Sequence, residues 1–113
     1  TATTDIYTLS LHDALPIWLA RAFALPAGPD AVLLVLGFSA VGVFIPGAPG
    51  HVGNFHEFAR LGLSARFSTA LVTGPGMAFV VTLHAVQTLL YLALGAVGLL
   101  ALPPELRRQR RVQ

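Results

Sequence analysis

The stretch MAFVVTLHAVQTLLYLALGAVGLL, Met77 to Leu100, carries no Asp, Glu, Lys or Arg. At about 1.5 Å per residue such a helix crosses a hydrocarbon core of about 30 Å with length to spare. Pro103 and Pro104 follow and stop the helix, because proline cannot continue the ladder of backbone hydrogen bonds. Four arginines, Arg107, Arg108, Arg110 and Arg111, then fall within the last seven residues. Arginine beside a span marks the cytoplasmic end by the positive-inside tendency. An apolar helix of this length that ends in a basic tail predicts a membrane span, with residues 103–113 as a cytoplasmic tail.

A second apolar run, Ala31 to Ile45, reaches only about 23 Å and ends at Pro46. The chain then reads PGAPG and resumes as HVGNFHEFARLGL. Proline removes backbone donors and glycine permits tight turns, so this is a break at membrane depth. Irregular backbone exposed to lipid is costly and is tolerated only against protein or water. The reading is a re-entrant or broken-helix unit over residues 31–63. The alternative is an ordinary helix that ends in a loop at the membrane surface. Asp30 is the expected cap of the first helix, with Pro29 just before it. Gly74, Pro75 and Gly76 predict a further break, and Ser64 is the expected cap of a short helix before it. The expected fold is all-α: a fragment of a polytopic membrane helical bundle with a broken or re-entrant helix pair at PGAPG.

Charge and composition agree with this. The mean hydropathy is +0.73, and 55% of residues are hydrophobic, which argues against a small soluble domain. The basic charge is a short tail on an apolar body, so nucleic acid is not an expected partner despite the high pI. The chain has no cysteine, which excludes disulfides and thiolate chemistry. It contains no GxSxG, CxxC or nucleotide-type phosphate loop, so no cofactor and no catalytic residue are implied.

Intramembrane polar groups are where function is sought. At about 100° per residue, Gln87, Thr88, Tyr91, Gly95 and Gly98 all fall within about 60° of His84. Val86, Leu89, Leu90, Ala93, Val97 and Leu100 lie opposite. A polar and small stripe backed by leucine predicts a helix packed on protein along the stripe, with its back to lipid. For Gln87, Thr88 and Tyr91 the preferred role is interhelical hydrogen bonding. For His84 that role and a functional one stand side by side. His51, His56 and Glu57 are metal-ligand types, but Arg60 stands where the second histidine of HExxH belongs, so no metal site is expected. Glu57 and Arg60, at i and i+3, are expected to pair with each other or to face a polar cavity.

The segments FIPGAPGHVGNFHEFARLGLSA and LHAVQTLLYLALGAVGLL resemble the lysylphosphatidylglycerol synthase transmembrane region, the flippase-like membrane family. The resemblance rests on Pro49, Gly50 and Gly53, then Phe55, His56 and Glu57, then His84, Ala85 and Gln87. It covers residues 31–100, with longer spacing than usual around Thr73 to Met77. It implies a multi-pass inner-membrane protein with its C-terminus in the cytoplasm. Residues 18–102 would be the C-terminal part of the membrane domain, completed by further N-terminal helices. The implied function is lipid translocation or envelope-lipid modification. The implied partner is an anionic phospholipid or a polyprenyl-phosphate-linked lipid, with Pro49, Gly50, Gly53, Glu57, His84 and Gln87 as candidate cavity residues. The alternative is a non-transporting anchor or scaffold for a lipid-glycosylating or cell-envelope enzyme.

A second resemblance is of a different kind. TATTDIYTLSLHDALPI, Thr1 to Ile17, resembles the translation of a common short-read sequencing adapter, which reads TATTEIYTLSLHDALPI; only Asp5 departs, by one third-base change. On this reading residues 1–17 are non-native and His12 and Asp13 carry no chemistry. The segment is then expected to pack poorly, and the chain to be the 3′ end of a longer gene. Removing Asp5 and Asp13 leaves seven arginines against three acids, so the formal charge moves from +2 to +4. Amplification across the Ile17–Trp18 junction from source DNA is expected to give no product encoding both sides; such a product overturns the adapter reading.

Overall fold

The computed structural model describes residues 14–104 and 106, and every regular element among them is helical. The order is α1 (14–22), α2 (Pro29–Phe44), a 3₁₀ turn (Pro49–His51), α3 (Asn54–Ser64), a short α4 (Thr69–Leu71) and α5 (Met77–Ala101). A π-helical segment, Val72–Gly76, joins α4 to α5. The arginine tail, the His12–Asp13 pair and residues 1–13 lie outside the described residues.

The helix pair predicted around PGAPG is present. α2 ends at Phe44, nine residues of turn follow, and α3 returns antiparallel along α2. Glycine allows the close approach at both ends of this contact. A Cβ on Gly42 would stand 2.9 Å from the Asn54 carbonyl oxygen and 3.0 Å from the Phe58 Cβ. A Cβ on Gly62 would stand 3.0 Å from the Leu34 carbonyl oxygen and from the Val35 Cα. The two helices therefore approach closely at these glycines, with the Phe58 side chain against Gly42 and the α2 main chain against Gly62. At its tip the Asn54 side-chain amide donates to the Ile45 carbonyl at 2.9 Å, tying the end of α2 to the start of α3.

At the open end of the hairpin, Arg66 pairs with Asp30 at 2.9 Å. This corrects the expected role of Asp30. The N-cap of α2 is Gly28 and no side chain caps it; Pro29 opens the helix and Asp30 lies in its first turn. A carboxylate there suits the helix dipole, and its partner is a cation in the turn after α3 instead of the helix's own amides. Ser64 is corrected likewise. It is the last residue of α3, and its hydroxyl donates back to the Arg60 carbonyl at 2.9 Å. The N-cap of the following helix is Ser68.

The break expected at Gly74–Gly76 is a bulge. Gly74 leaves helical geometry at φ −91°, ψ −105°, and the helical path continues past Pro75. The π-turn widens the ladder where proline has no N–H, so the helix survives. Thr69–Ala101 consequently forms one helical path of 33 residues, about 50 Å long. It is long and apolar enough to cross a membrane, and most of it is exposed. A core helix of a soluble domain has the opposite exposure. α2, at 16 residues, reaches about 24 Å.

The core gathers Ala20 from α1, Val32 and Val35 from α2, Phe55, Ala59 and Leu63 from α3, and Phe79, Val80 and Leu83 from α5. It lies entirely on the Thr69 side of His84. Every residue from Leu89 to Ala101 is exposed. The polar and small stripe of α5 meets protein along its first part, where His84, Gln87 and Thr88 are half-buried, while a Cβ on Gly95 or Gly98 would meet nothing within 4 Å. One expectation is corrected here: residues 14–17 do not pack poorly. Pro16 is fully buried and Ile17 rests on the core, because apolar side chains leave water whatever their origin. Helix α1 runs across the expected 17/18 boundary.

Replacing Gly62 by Leu is expected to destabilise the hairpin by about 1–3 kcal/mol through overpacking. Gly37→Ala, on the open side of α2 where a Cβ meets nothing, is expected to be neutral or stabilising by up to about 1 kcal/mol. Thermal unfolding of the detergent-solubilised protein compares the two.

Candidate functional site

The nine residues between α2 and α3 cannot continue an α-helix: Pro46 and Pro49 lack donors, and two glycines take positive φ, Gly50 at +71° and Gly53 at +94°. His51 follows Gly50 at φ +56°, a conformation uncommon for a residue with a Cβ. At Gly50 the demand is purely conformational, since the nearest atom to an added Cβ is Val52 Cγ2 at 4.0 Å. The turn folds back under the end of α2 and meets the middle of α5.

A cleft of about 830 Å³ opens at this junction. Leu36, Ser39, Ala40, Val43 and Phe44 of α2 form one wall, and His84, Gln87, Thr88, Tyr91 and Leu92 of α5 the other; Gly50, His51 and Phe55 close it at the tip. The lining is mainly aliphatic and aromatic, with a few convergent polar groups, as small-molecule sites commonly are. Ser39, although buried, uses its hydroxyl to donate to the Val35 carbonyl at 2.6 Å. The free polar capacity of the cleft therefore comes from the turn and from α5.

His84 occupies the centre of an aromatic cluster. Its ring meets Phe55 edge-on at 4.5 Å between centroids and lies 4.9 Å from the ring of His56, tilted by 36°. The Gly50 main chain lies beside the imidazole. Its Nδ1 is buried without a hydrogen-bond partner. An unsatisfied buried ring nitrogen costs about 1–3 kcal/mol, so the position favours any ligand or water that supplies the missing bond. His56 has a different task. Its Nδ1 accepts from the Gly53 N–H at 3.3 Å, which covers one of the open amides at the start of α3.

Of the six candidate residues, the structure brings Gly50, His84 and Gln87 to the cleft. Pro49 and Gly53 shape the turn without lining it. Glu57 lies outside the cleft, on the exposed face of α3, where both carboxylate oxygens accept from Arg60. This is the pair that the i, i+3 spacing implies. Among the described residues no three His, Asp or Glu side chains form a metal-binding group. Sequence reasoning missed Ser39, Phe44 and Phe55 as cleft residues. Their apolar setting gave no signal, because which face of α2 meets the cleft depends on where the chain turns.

No protein-family model, no curated protein and no solved structure matches this chain. The site is therefore read from its own geometry.

Gly50→Ala is expected to cost about 1–2 kcal/mol, since an L-residue resists the left-handed conformation. The loss should show as a lower unfolding midpoint in detergent. Full stability in the variant would mean the turn re-forms without positive φ.

Proposed function

We propose that the chain is the membrane-embedded part of a multi-pass lipid-handling protein of the flippase-like, lysylphosphatidylglycerol synthase transmembrane type. In this reading the cleft at the hairpin tip receives the polar end of a phosphate-bearing lipid. The ligand is an anionic phospholipid or a polyprenyl-phosphate-linked lipid, and further helices of the same protein surround α5. One observation carries the reading: polar groups of His51, His84, Gln87 and Thr88 share a largely apolar cleft with Leu92, which lies in the exposed apolar half of α5. A ligand bound there must be polar at one end and apolar at the other.

The mechanism follows from these parts. Helix breaks inside a membrane protein supply main-chain groups that no longer serve the helix, which is how transporters build midplane sites. The start of α3 carries the positive end of its dipole toward the turn, which suits a phosphate. The unpaired Nδ1 of His84 supplies a hydrogen-bonding position, and the Gln87 amide and Thr88 hydroxyl supply others along the same helix face. Leu36, Val43 and Phe44 then take the adjoining chain carbons. The basic tail after α5 supports a cytoplasmic C-terminus. Glu57 leaves the lipid site on this reading, because Arg60 already neutralises it outside the cleft.

The test measures exposure of anionic lipid on the outer leaflet of cells carrying the full-length protein. His84→Ala and Gln87→Leu are expected to lower exposure severalfold relative to the wild type, with unchanged membrane insertion, while Glu57→Gln leaves the cleft intact. Normal exposure in correctly inserted His84→Ala and Gln87→Leu variants would overturn the reading and favour the anchor or scaffold alternative.

A further inference from the structure

The outer face of α3 is unlike every packing face in the fold. Arg60, Leu61 and Ser64 all fall within about 60° of Glu57 around the helix, opposite the buried Phe55, Ala59, Gly62 and Leu63. Glu57, Leu61 and Ser64 are exposed, and the Arg60 side chain remains 37% exposed while it pairs with Glu57. The faces that meet other helices here are built from glycine and apolar side chains. A charged pair with a serine belongs to another environment.

Its depth is fixed by the histidines. The His56 ring lies 4.9 Å from that of His84, and His84 stands next to the midpoint of the Thr69–Ala101 path. From His84 the path runs about 23 Å back to Thr69 and about 26 Å on to Ala101. Glu57, adjacent to His56, is therefore at mid-depth of a helix that spans the bilayer. The other end of α3 lies near Arg66 and Asp30, at the level where the long helix begins. The hairpin thus enters from the end opposite Ala101 and stops halfway. Hydrocarbon against Glu57 and Arg60 would strand two charges at mid-depth, which membrane proteins avoid by facing such groups to protein or to water.

We propose that the outer face of α3 lines a water-filled groove running from the Asp30–Arg66 end down to Glu57, so that the hairpin tip is hydrated on one side and meets lipid on the other. The inference rests on the reading of α5 as a membrane span. Water along this face keeps the ion pair solvated and brings solvent to the His56 edge of the cluster, behind the cleft. The occupant is solvent and not another helix, because the face offers an ion pair and a hydroxyl already bonded to the Arg60 carbonyl, with Leu61 as its one large apolar side chain.

These 113 residues contain no cysteine, so a single introduced one reports its own position. Single cysteines are placed at Ser64, Leu61 and Glu57 in the full chain, in sealed vesicles exposed to a membrane-impermeant maleimide on one side at a time. Val52→Cys reports the tip without breaking the ion pair, in case Glu57→Cys fails to fold. Leu89→Cys and Val97→Cys report the span itself. The expected result is labelling of S64C, L61C and the tip position from the side opposite the C-terminus, with L89C and V97C unlabelled from either side. Protection of L61C and the tip while L89C and V97C are also protected overturns the groove and leaves the span standing, the outcome if another helix covers α3. Labelling of the tip only from the C-terminal side also overturns it. Labelling of L89C and V97C removes the membrane span on which the groove rests, and overturns both.

Discussion

The close contact between α2 and α3 is the constraint on which the remaining structure depends. Gly42 and Gly62 let the two helices approach so closely that a Cβ at either position would stand about 3 Å from the partner helix. That contact fixes where α3 can lie, and hence how sharply residues 45–53 must turn. The turn requires positive φ at Gly50 and Gly53, and it delivers the Gly50 main chain and His51 to the middle of α5. The cleft is a consequence of this geometry: it forms where a short hairpin ends beside a helix twice its length.

The same mismatch organises the polar groups. Above the tip, α5 is held by Phe79, Val80 and Leu83 in a dry core. Below it, α5 is exposed on all sides. His84 sits at the boundary, with Phe55 against its ring edge and a buried Nδ1 that no protein group satisfies. Polar residues at such a boundary can reach a ligand without breaking a packed core, whereas the same residues inside the core would need fixed partners. The two serine hydroxyls beside the hairpin illustrate the other solution: Ser39 and Ser64 each donate to a carbonyl four residues earlier, and neither asks anything of its surroundings.

Much of the fold was legible from local chemistry. Proline and glycine punctuate the chain at 46–50, and a turn between two helices is found there. The uncharged run from Met77 gives a long helix, and the i, i+3 spacing gives the Glu57–Arg60 pair. The errors came where a local signal had more than one structural outcome. Gly74-Pro75-Gly76 reads as a stop, yet a π-turn absorbs the proline and the helix continues. Asp30 reads as a cap, yet Gly28 takes that position and Arg66 takes the carboxylate. The adapter resemblance of residues 1–17 implied poor packing, yet Pro16 is buried, because apolar side chains leave water.

The candidate site divides along the same line. Sequence alone determined that His84, Gln87, Thr88 and Tyr91 share one face of the last helix, because helical periodicity is local and survives any packing. It also placed a glycine-rich turn after the first apolar helix, because few residues can adopt that backbone. Only the tertiary structure decided that Gly50 and His51 meet that face, that Ser39, Phe44 and Phe55 complete the cleft, and that Glu57 stays outside it. Those outcomes depend on how closely two helices approach and at what level the hairpin ends. Both are set by contacts between residues far apart in the chain, which no local pattern encodes.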